Sequence, residues 1–238
     1  MFIVIIILIA THEYNRLVFG NGSLQEKWEV MALAPFISLA AFMGDARLIL
    51  ASVALSILIV FILFLLRTTK SQSFEIDILS KVVLGYMYIP FMMSHFILLR
   101  CSENGIMWIL FILVLAFSGD IAAFYVGKTI GKRKLIFLVS PGKTIEGTVG
   151  LFIGSITGCV LFKILLYPAL PIIHVVILGF LGSIIGQLGD LCESAIKRAS
   201  GVKDSGAILM GHGGMLDRLD CLIFIVPFVY YYQLLVMK

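Results

Sequence analysis

The chain has 238 residues, of which 61% are hydrophobic and 13% charged, with a mean hydropathy of +1.09. A water-soluble domain of this length carries about twice that charge. The composition therefore excludes a soluble globular protein and points to one integral membrane domain over residues 1–238. The net charge of +4 is read as cytoplasmic loops of a membrane protein, with no nucleic-acid partner. Cys101, Cys159, Cys192 and Cys221 are scattered, without metal-ligand spacing, and read as small apolar residues. The opening MFIVIIILIA lacks a basic flank and a small-residue cleavage site, so it reads as a membrane helix.

In chain order, the first apolar run spans Phe2 to about Leu17 and is interrupted by His12, Glu13 and Arg16. A second, short span covers about Val30 to Met43, and a third, free of charge, Leu48 to Leu66. The fourth runs from Ile78 to Leu99 with Pro90 and His95 inside; the fifth covers about Ile106 to Val126 and holds Asp120. Residues 127–143 form the most basic loop, with five lysines and arginines and no acid. The sixth span extends from about Thr144 to Tyr167. The seventh begins near Ile172 and runs unbroken to about Arg198, longer than a bilayer requires. The eighth covers Met215 to Met237. The expected fold is all-α, a polytopic transmembrane bundle of about eight spans. Residues 1–118 supply N-terminal helices, and 119–238 the catalytic helices and loops.

Loops 67–77, 127–143 and the one after Lys197 are separated by pairs of spans and share one side, made cytoplasmic by their lysines and arginines. Glycines recur every four residues at Gly150, Gly154 and Gly158, and again at Gly182 and Gly186. Such spacing lets membrane helices approach closely. It is expected to fix the seventh helix, and with it Asp190, against the sixth.

The chemistry concentrates between Asp190 and Asp220. Asp190, Glu193 and Lys197 share a helix face, and Asp217 and Asp220 repeat the three-residue spacing at the start of the next helix. Between them lie Arg198, Lys203, Asp204 and the turn Gly211-His212-Gly213-Gly214. Ionisable groups within spans cost about 2.5–3.5 kcal/mol each on insertion scales, so they face a cavity or a partner. Acids that hold a divalent cation and bases that hold phosphate are the parts of a phosphoryl-transfer site. Salt-bridged helix ends would explain one acid–base pair but not five acids and four bases in about thirty residues. Lys143, in Ser140-Pro141-Gly142-Lys143-Thr144, precedes a helix N-terminus that offers N–H groups to an anion, although the spacing is not that of a Walker loop. Taken alone, Lys143 is a positive-inside lysine, Asp120 a buried paired acid, and His212 a loop residue.

The run Ser194-Ala195-Ile196-Lys197-Arg198, then Lys203-Asp204-Ser205-Gly206, then His212-Gly213-Gly214-Met215-Leu216-Asp217-Arg218-Leu219-Asp220, resembles the signature of the phosphatidate cytidylyltransferase family. Gly189 to Ser194, Asp120 to Gly131 and Ser140 to Gly147 resemble its other motifs. The chain departs from the usual pattern at Met210, at Ile121-Ala122 and at Val149. The resemblance implies that CTP and phosphatidate react to give CDP-diacylglycerol and pyrophosphate, by direct in-line transfer. It implies Asp190 and Asp217 as leading Mg²⁺ ligands, with Asp220, Glu193 and Asp120 as further acids and room for a second cation. Lys143, Lys197, Arg198, Lys203 and Arg218 would hold phosphates, and Ser140, Asp120, Asp204, His212, Gly213 and Gly214 would line the substrate. The compact size and few loops point to a bacterial inner membrane, and the lysine and arginine bias to a site at the cytoplasmic face, with a homodimer as an open expectation. The alternatives are a cytidylyltransferase for another lipid acceptor and a cation-coupled transporter. The second is disfavoured because the acids sit at helix ends and no internal repeat is visible.

Overall fold

The computed structural model describes residues 2–20, 22–71, 76–206 and 213–237. Its helices are α1 (Phe2–Phe19), α2 (Leu24–Phe42), α3 (Ala46–Ser71), α4 (Ile76–Tyr86), α5 (Met92–Cys101), α6 (Gly105–Ile130), α7 (Ile145–Leu165), α8 (Ile172–Ala199) and α9 (Leu216–Val236). A π-helical turn, Met87–Phe91, joins α4 and α5 into one rod. Pro90 sits in that turn; it lacks an N–H and crowds the preceding turn, so the helix widens there.

The all-α membrane bundle is as expected, and among the described residues seven of the eight rods are long and apolar enough to cross a bilayer. The eighth, α2, is helical where a span is expected but begins with Glu26, Lys27 and Glu29. Its apolar part, Val30 to Phe42, is shorter than the roughly 20 residues a span needs. A second difference lies in the basic loop, which folds into an antiparallel hairpin of β1 (Lys134–Ile136) and β2 (Ser140–Thr144). The apolar run Leu135 to Val139 suits strand geometry. Pro141 is tolerated because a two-stranded ribbon has only edges, and the register is irregular beside it.

The chain divides into two compact units: residues 1–102 with 200–218, and residues 103–199 with 219–238. In the first, α2 packs on α1, α3, α4 and α5. Its buried Val30, Ala34, Ile37 and Ala41 recur at helical spacing and meet Ile7, Ala10 and Tyr14 of α1 in the core. At Gly85 a Cβ would lie 2.8 Å from the Tyr14 ring and 3.0 Å from Val30, so only glycine lets α4 come this close. The Tyr14 hydroxyl donates to the Lys81 carbonyl at 3.0 Å. The acids of α2 are answered from α3, where Arg67 lies 2.7 Å from Glu26 and 3.3 Å from Glu29.

In the second unit the closest pairing is α6 with α7. Gly150, Gly154 and Gly158 of α7 face Val126, Ala122 and Ser118 of α6, which share the four-residue spacing. A Cβ on Gly150 would lie 2.7 Å from that of Val126. The glycine stripe therefore fixes α7 against the helix of Asp120, not against that of Asp190 as the spacing alone suggests. Asp190 is placed by other glycines. On α8, Gly179 abuts Ile156 of α7, Gly182 abuts Leu115 of α6, and Gly186 abuts Ile225 of α9.

Gly154→Val would overpack the α6–α7 seam, at a cost of about 1–3 kcal/mol. The expected outcome is a lower melting temperature in detergent; unchanged melting would show that the seam yields freely.

Candidate functional site

Within the second unit, α6, α7, α8, α9 and the end of β2 enclose a cavity of about 480 Å³. Its deeper wall is apolar or neutral, with Leu115, Leu151, Ser155, Ser183 and Ile225. Its polar part holds Asp120, Asp190, Lys143, Lys128, Thr148 and Gln187. The Lys143 Nζ lies 2.5 Å from Asp190 Oδ2, with both side chains partly exposed. Asp220, on α9 beside the cavity-lining Cys221, is within electrostatic reach of Asp190, Asp120 and Lys143. Asp120 likewise interacts with Asp190 and Lys143. The Gln187 amide donates to Thr148 Oγ1 at 2.7 Å, and the Ser194 hydroxyl contacts Asp190 Oδ1 at 3.4 Å.

Local folding explains these positions. Lys143 lies on β2 next to Thr144, the N-cap of α7, whose hydroxyl accepts from the Gly147 N–H at 3.1 Å. Glu146 accepts from the N–H groups of Lys132 and Arg133 at 3.0 and 3.2 Å, fastening the hairpin to the helix start. The N-terminus of α7 is thus partly filled by its own chain. Lys143 reaches the cavity as a side chain, not as part of a vacant helix end.

The remaining predicted residues fall in other places. Glu193 is buried on α8, and its Oε2 lies 2.5 Å from Lys197, one turn on. Arg198 Nε lies 3.4 Å from the Val139 carbonyl of the hairpin, and Ser140 is half-buried on β2. In the first unit, Lys203, Asp204 and Arg218 are exposed. There Asp217 accepts backbone hydrogen bonds: from the Ser205 N–H at 3.0 Å and the Gly214 N–H at 2.7 Å. Gly213 has a left-handed φ of 80°, which favours glycine. His212 lies outside the described residues. Of the four predicted metal ligands, then, the second unit brings Asp190 and Asp220 together with Asp120, while Glu193 faces a lysine and Asp217 shapes a loop.

One residue at the centre of that loop was not foreseen as functional. Glu13, fully buried on α1, accepts from the N–H groups of Met215 at 2.9 Å and Leu216 at 2.8 Å, and from the Ser205 hydroxyl at 3.2 Å. It caps the N-terminus of α9 from a helix some 200 positions earlier in the sequence. A Cβ at Gly214 would run into Ser205 and Glu13, and one at Gly206 would lie 2.7 Å from the Glu13 carboxylate, which accounts for both glycines. The signal was available, because an acid inside an apolar span needs a partner. Gln187 and Thr148, short polar side chains on apolar helices, left a weaker one.

Among the described residues, no three histidine, cysteine, aspartate or glutamate side chains are placed to hold one ion as they stand. The donor chemistry nevertheless fits a hard divalent cation. Asp120 and Asp190 line the cavity with Lys143 and Lys128, and Asp220 lies within electrostatic reach of Asp120, Asp190 and Lys143. Carboxylate oxygens are the donors such an ion prefers.

A family model described as "Cytidylyltransferase family" matches residues 1–236. The chain is 36% identical over 183 residues to the "Phosphatidate cytidylyltransferase" of Bacillus subtilis (strain 168), covering 76% of this chain and 68% of that protein. It is 42% identical over 158 residues to the "Uncharacterized protein YnbB" of Escherichia coli (strain K12), covering 64% and 53%. A "Phosphatidate cytidylyltransferase" of Staphylococcus saprophyticus is 38% identical over 149 residues, covering 63% and 54%. The chain thus spans about half to two thirds of the length of these relatives.

Glu13→Ala would leave three donors at the start of α9 without their acceptor. Hydrogen bonds to a charged group are worth about 1.5–3 kcal/mol each. Lower melting and faster proteolysis within residues 200–218 are expected, with Glu13→Gln intermediate. Parent-like behaviour of Glu13→Ala on both measures would refute the capping role.

Proposed function

We propose, from the premise that this chain belongs to the cytidylyltransferase family, that it transfers the cytidylyl group of CTP to phosphatidate, releasing pyrophosphate and leaving CDP-diacylglycerol in the membrane. The observation that carries this reading is the grouping of Asp120, Asp190 and Lys143 at one cavity, with Asp220 within electrostatic reach of all three. The printed names of the Bacillus and Staphylococcus relatives support phosphatidate as the acceptor. The basic residues 127–143 support a cavity facing the cytoplasm, and the bacterial relatives support an inner-membrane setting.

In this reading a phosphate oxygen of phosphatidate attacks the α-phosphorus of CTP. The bond from that phosphorus to the oxygen bridging to the β-phosphate breaks, and the electron pair leaves with pyrophosphate. The attacking oxygen is already ionised, so no general base is required. No nucleophilic side chain need form a covalent intermediate, and positioning and charge compensation carry the catalysis. Asp120, Asp190 and Asp220 would hold Mg²⁺, which when bound offsets negative charge on the triphosphate and the departing pyrophosphate. Lys143 and Lys128 bind phosphate oxygens directly. Gln187 and Thr148 offer the polar contacts that orient a substrate, and Leu115, Leu151 and Ile225 keep water from the deeper wall. Lys203, Asp204, Arg218, Ser140 and Arg198 remain candidates for holding substrate, each within its own unit.

The deciding experiment supplies CTP labelled at the α-phosphate to purified protein in phosphatidate micelles, with Mg²⁺ or with EDTA. Mg²⁺-dependent label in the lipid, with pyrophosphate released, is expected; absence of lipid label under both conditions would overturn the proposal. Asp190→Asn should lower turnover about 10²-fold or more with melting unchanged. Asp217→Asn should lower melting as well, because its carboxylate holds backbone. Lys143→Ala should raise the KM for a phosphate-bearing substrate roughly 10- to 100-fold. Unchanged KM for both CTP and phosphatidate would return this lysine to a purely topological role.

A further inference from the structure

The β1–β2 hairpin carries an apolar tip that nothing in its own unit covers. Phe137 is 70% exposed and Leu138 88%, and Ile136 beside them is exposed as well. This is not a loose excursion of the chain. Only Gly131, Lys132 and Arg133 separate α6 from β1, and β2 runs directly into α7. Glu146 holds the backbone at Lys132 and Arg133, and Arg198 of α8 contacts the Val139 carbonyl. Phe137 therefore lies seven residues from the end of α6 and Leu138 seven from the start of α7, at most roughly 23 Å of extended chain from either membrane-spanning helix. Three consecutive cations, Lys132, Arg133 and Lys134, are exposed at its base, and no acid occurs between Gly127 and Ile145.

We propose that this tip is a lipid-surface anchor: Phe137 and Leu138 seat at the boundary between headgroups and acyl chains, and Lys132, Arg133 and Lys134 hold anionic headgroups. Aromatic and aliphatic side chains beside a cluster of cations are the composition that binds an anionic membrane surface. Charge complementarity favours that surface over a protein partner, and the short connection to α6 and α7 keeps the tip beside it. The inference rests on the membrane-spanning helices and does not depend on the chemistry of the cavity.

The test introduces Phe137→Trp into the full chain, reconstituted in nanodiscs of phosphatidylglycerol with or without bromine on the acyl chains. The parent chain, with Trp28 and Trp108, supplies the baseline to subtract. Leu58→Trp, on an exposed position of the apolar α3, sets the value for full lipid contact. Emission of the added tryptophan should fall by roughly half or more with brominated chains. Replacing Lys132, Arg133 and Lys134 with glutamine should reduce that quenching. Unquenched, red-shifted emission would place the tip in water and overturn the proposal. Unquenched but blue-shifted emission would place it under protein, a second copy or a partner, and would overturn it equally. Leu138→Trp, at the more exposed position, repeats the test should the first variant fold poorly. Because quenching needs no turnover, its outcome is independent of whether CTP is the donor.

Discussion

A charge carried on an apolar helix must be answered nearby, because the surroundings cannot solvate it. Most of this chain's local design follows from that constraint. Arg67 answers Glu26 and Glu29 in the first unit. Lys197 answers Glu193 one helical turn away in the second. Glu13 is answered by two backbone N–H groups and a hydroxyl, so its charge is spent on starting another helix. Around the cavity the pattern breaks. Lys143 sits against Asp190, but among the described residues Asp120 and Asp220 form no ion pair of their own. That difference sets these acids apart from the structural ones and agrees with the proposed role in holding a ligand.

The glycines give that arrangement its precision. With side chains removed from one face of α7, the backbones of α6 and α7 come into contact, so Asp120 stands on a helix with little freedom to shift. Gly182 and Gly186 bring α8 against α6 and α9 in the same way, which sets Asp190 and Asp220 on facing helices of one unit. At Gly189 a Cβ would lie 2.5 Å from the Asp220 carbonyl, so the helix carrying Asp190 has no room for a side chain immediately before it. Rigid placement of this kind suits a reaction in which orientation and charge carry the barrier reduction.

Spans, helix ends and the identities of the ionisable residues could be read from the chain because hydropathy and charge are properties of single positions. The unbroken α8, running past the length a bilayer demands, is an example. Partnership was less legible. Asp217 and Asp220 have the same spacing as Asp190 and Glu193, yet each pair splits between different partners. A three-residue step on a helix leaves two side chains on one face but about 60° and 4.5 Å apart, so their partners can still differ. The glycine stripe announced a close contact without naming the helix across it. The hairpin was masked by its charge, since residues 127–143 carry five lysines and arginines and the apolar run Leu135 to Val139 is too short for a span. Glu13 was visible as an oddity, but the loop it serves lies nearly the whole chain away, and only the fold joins them.

The length of α8 has a consequence for what leaves the cavity. Asp190 is the nineteenth residue of the helix, about 27 Å along its axis at 1.5 Å per residue. That distance is close to the thickness of the hydrocarbon layer. If the first turn of α8 marks one face of the membrane, Asp190 stands at the other, where oil gives way to water. A reaction held at such a frontier sorts its products by solubility. In the proposed reaction the lipid-borne product would spread sideways and the small anion outward, each by a route closed to the other.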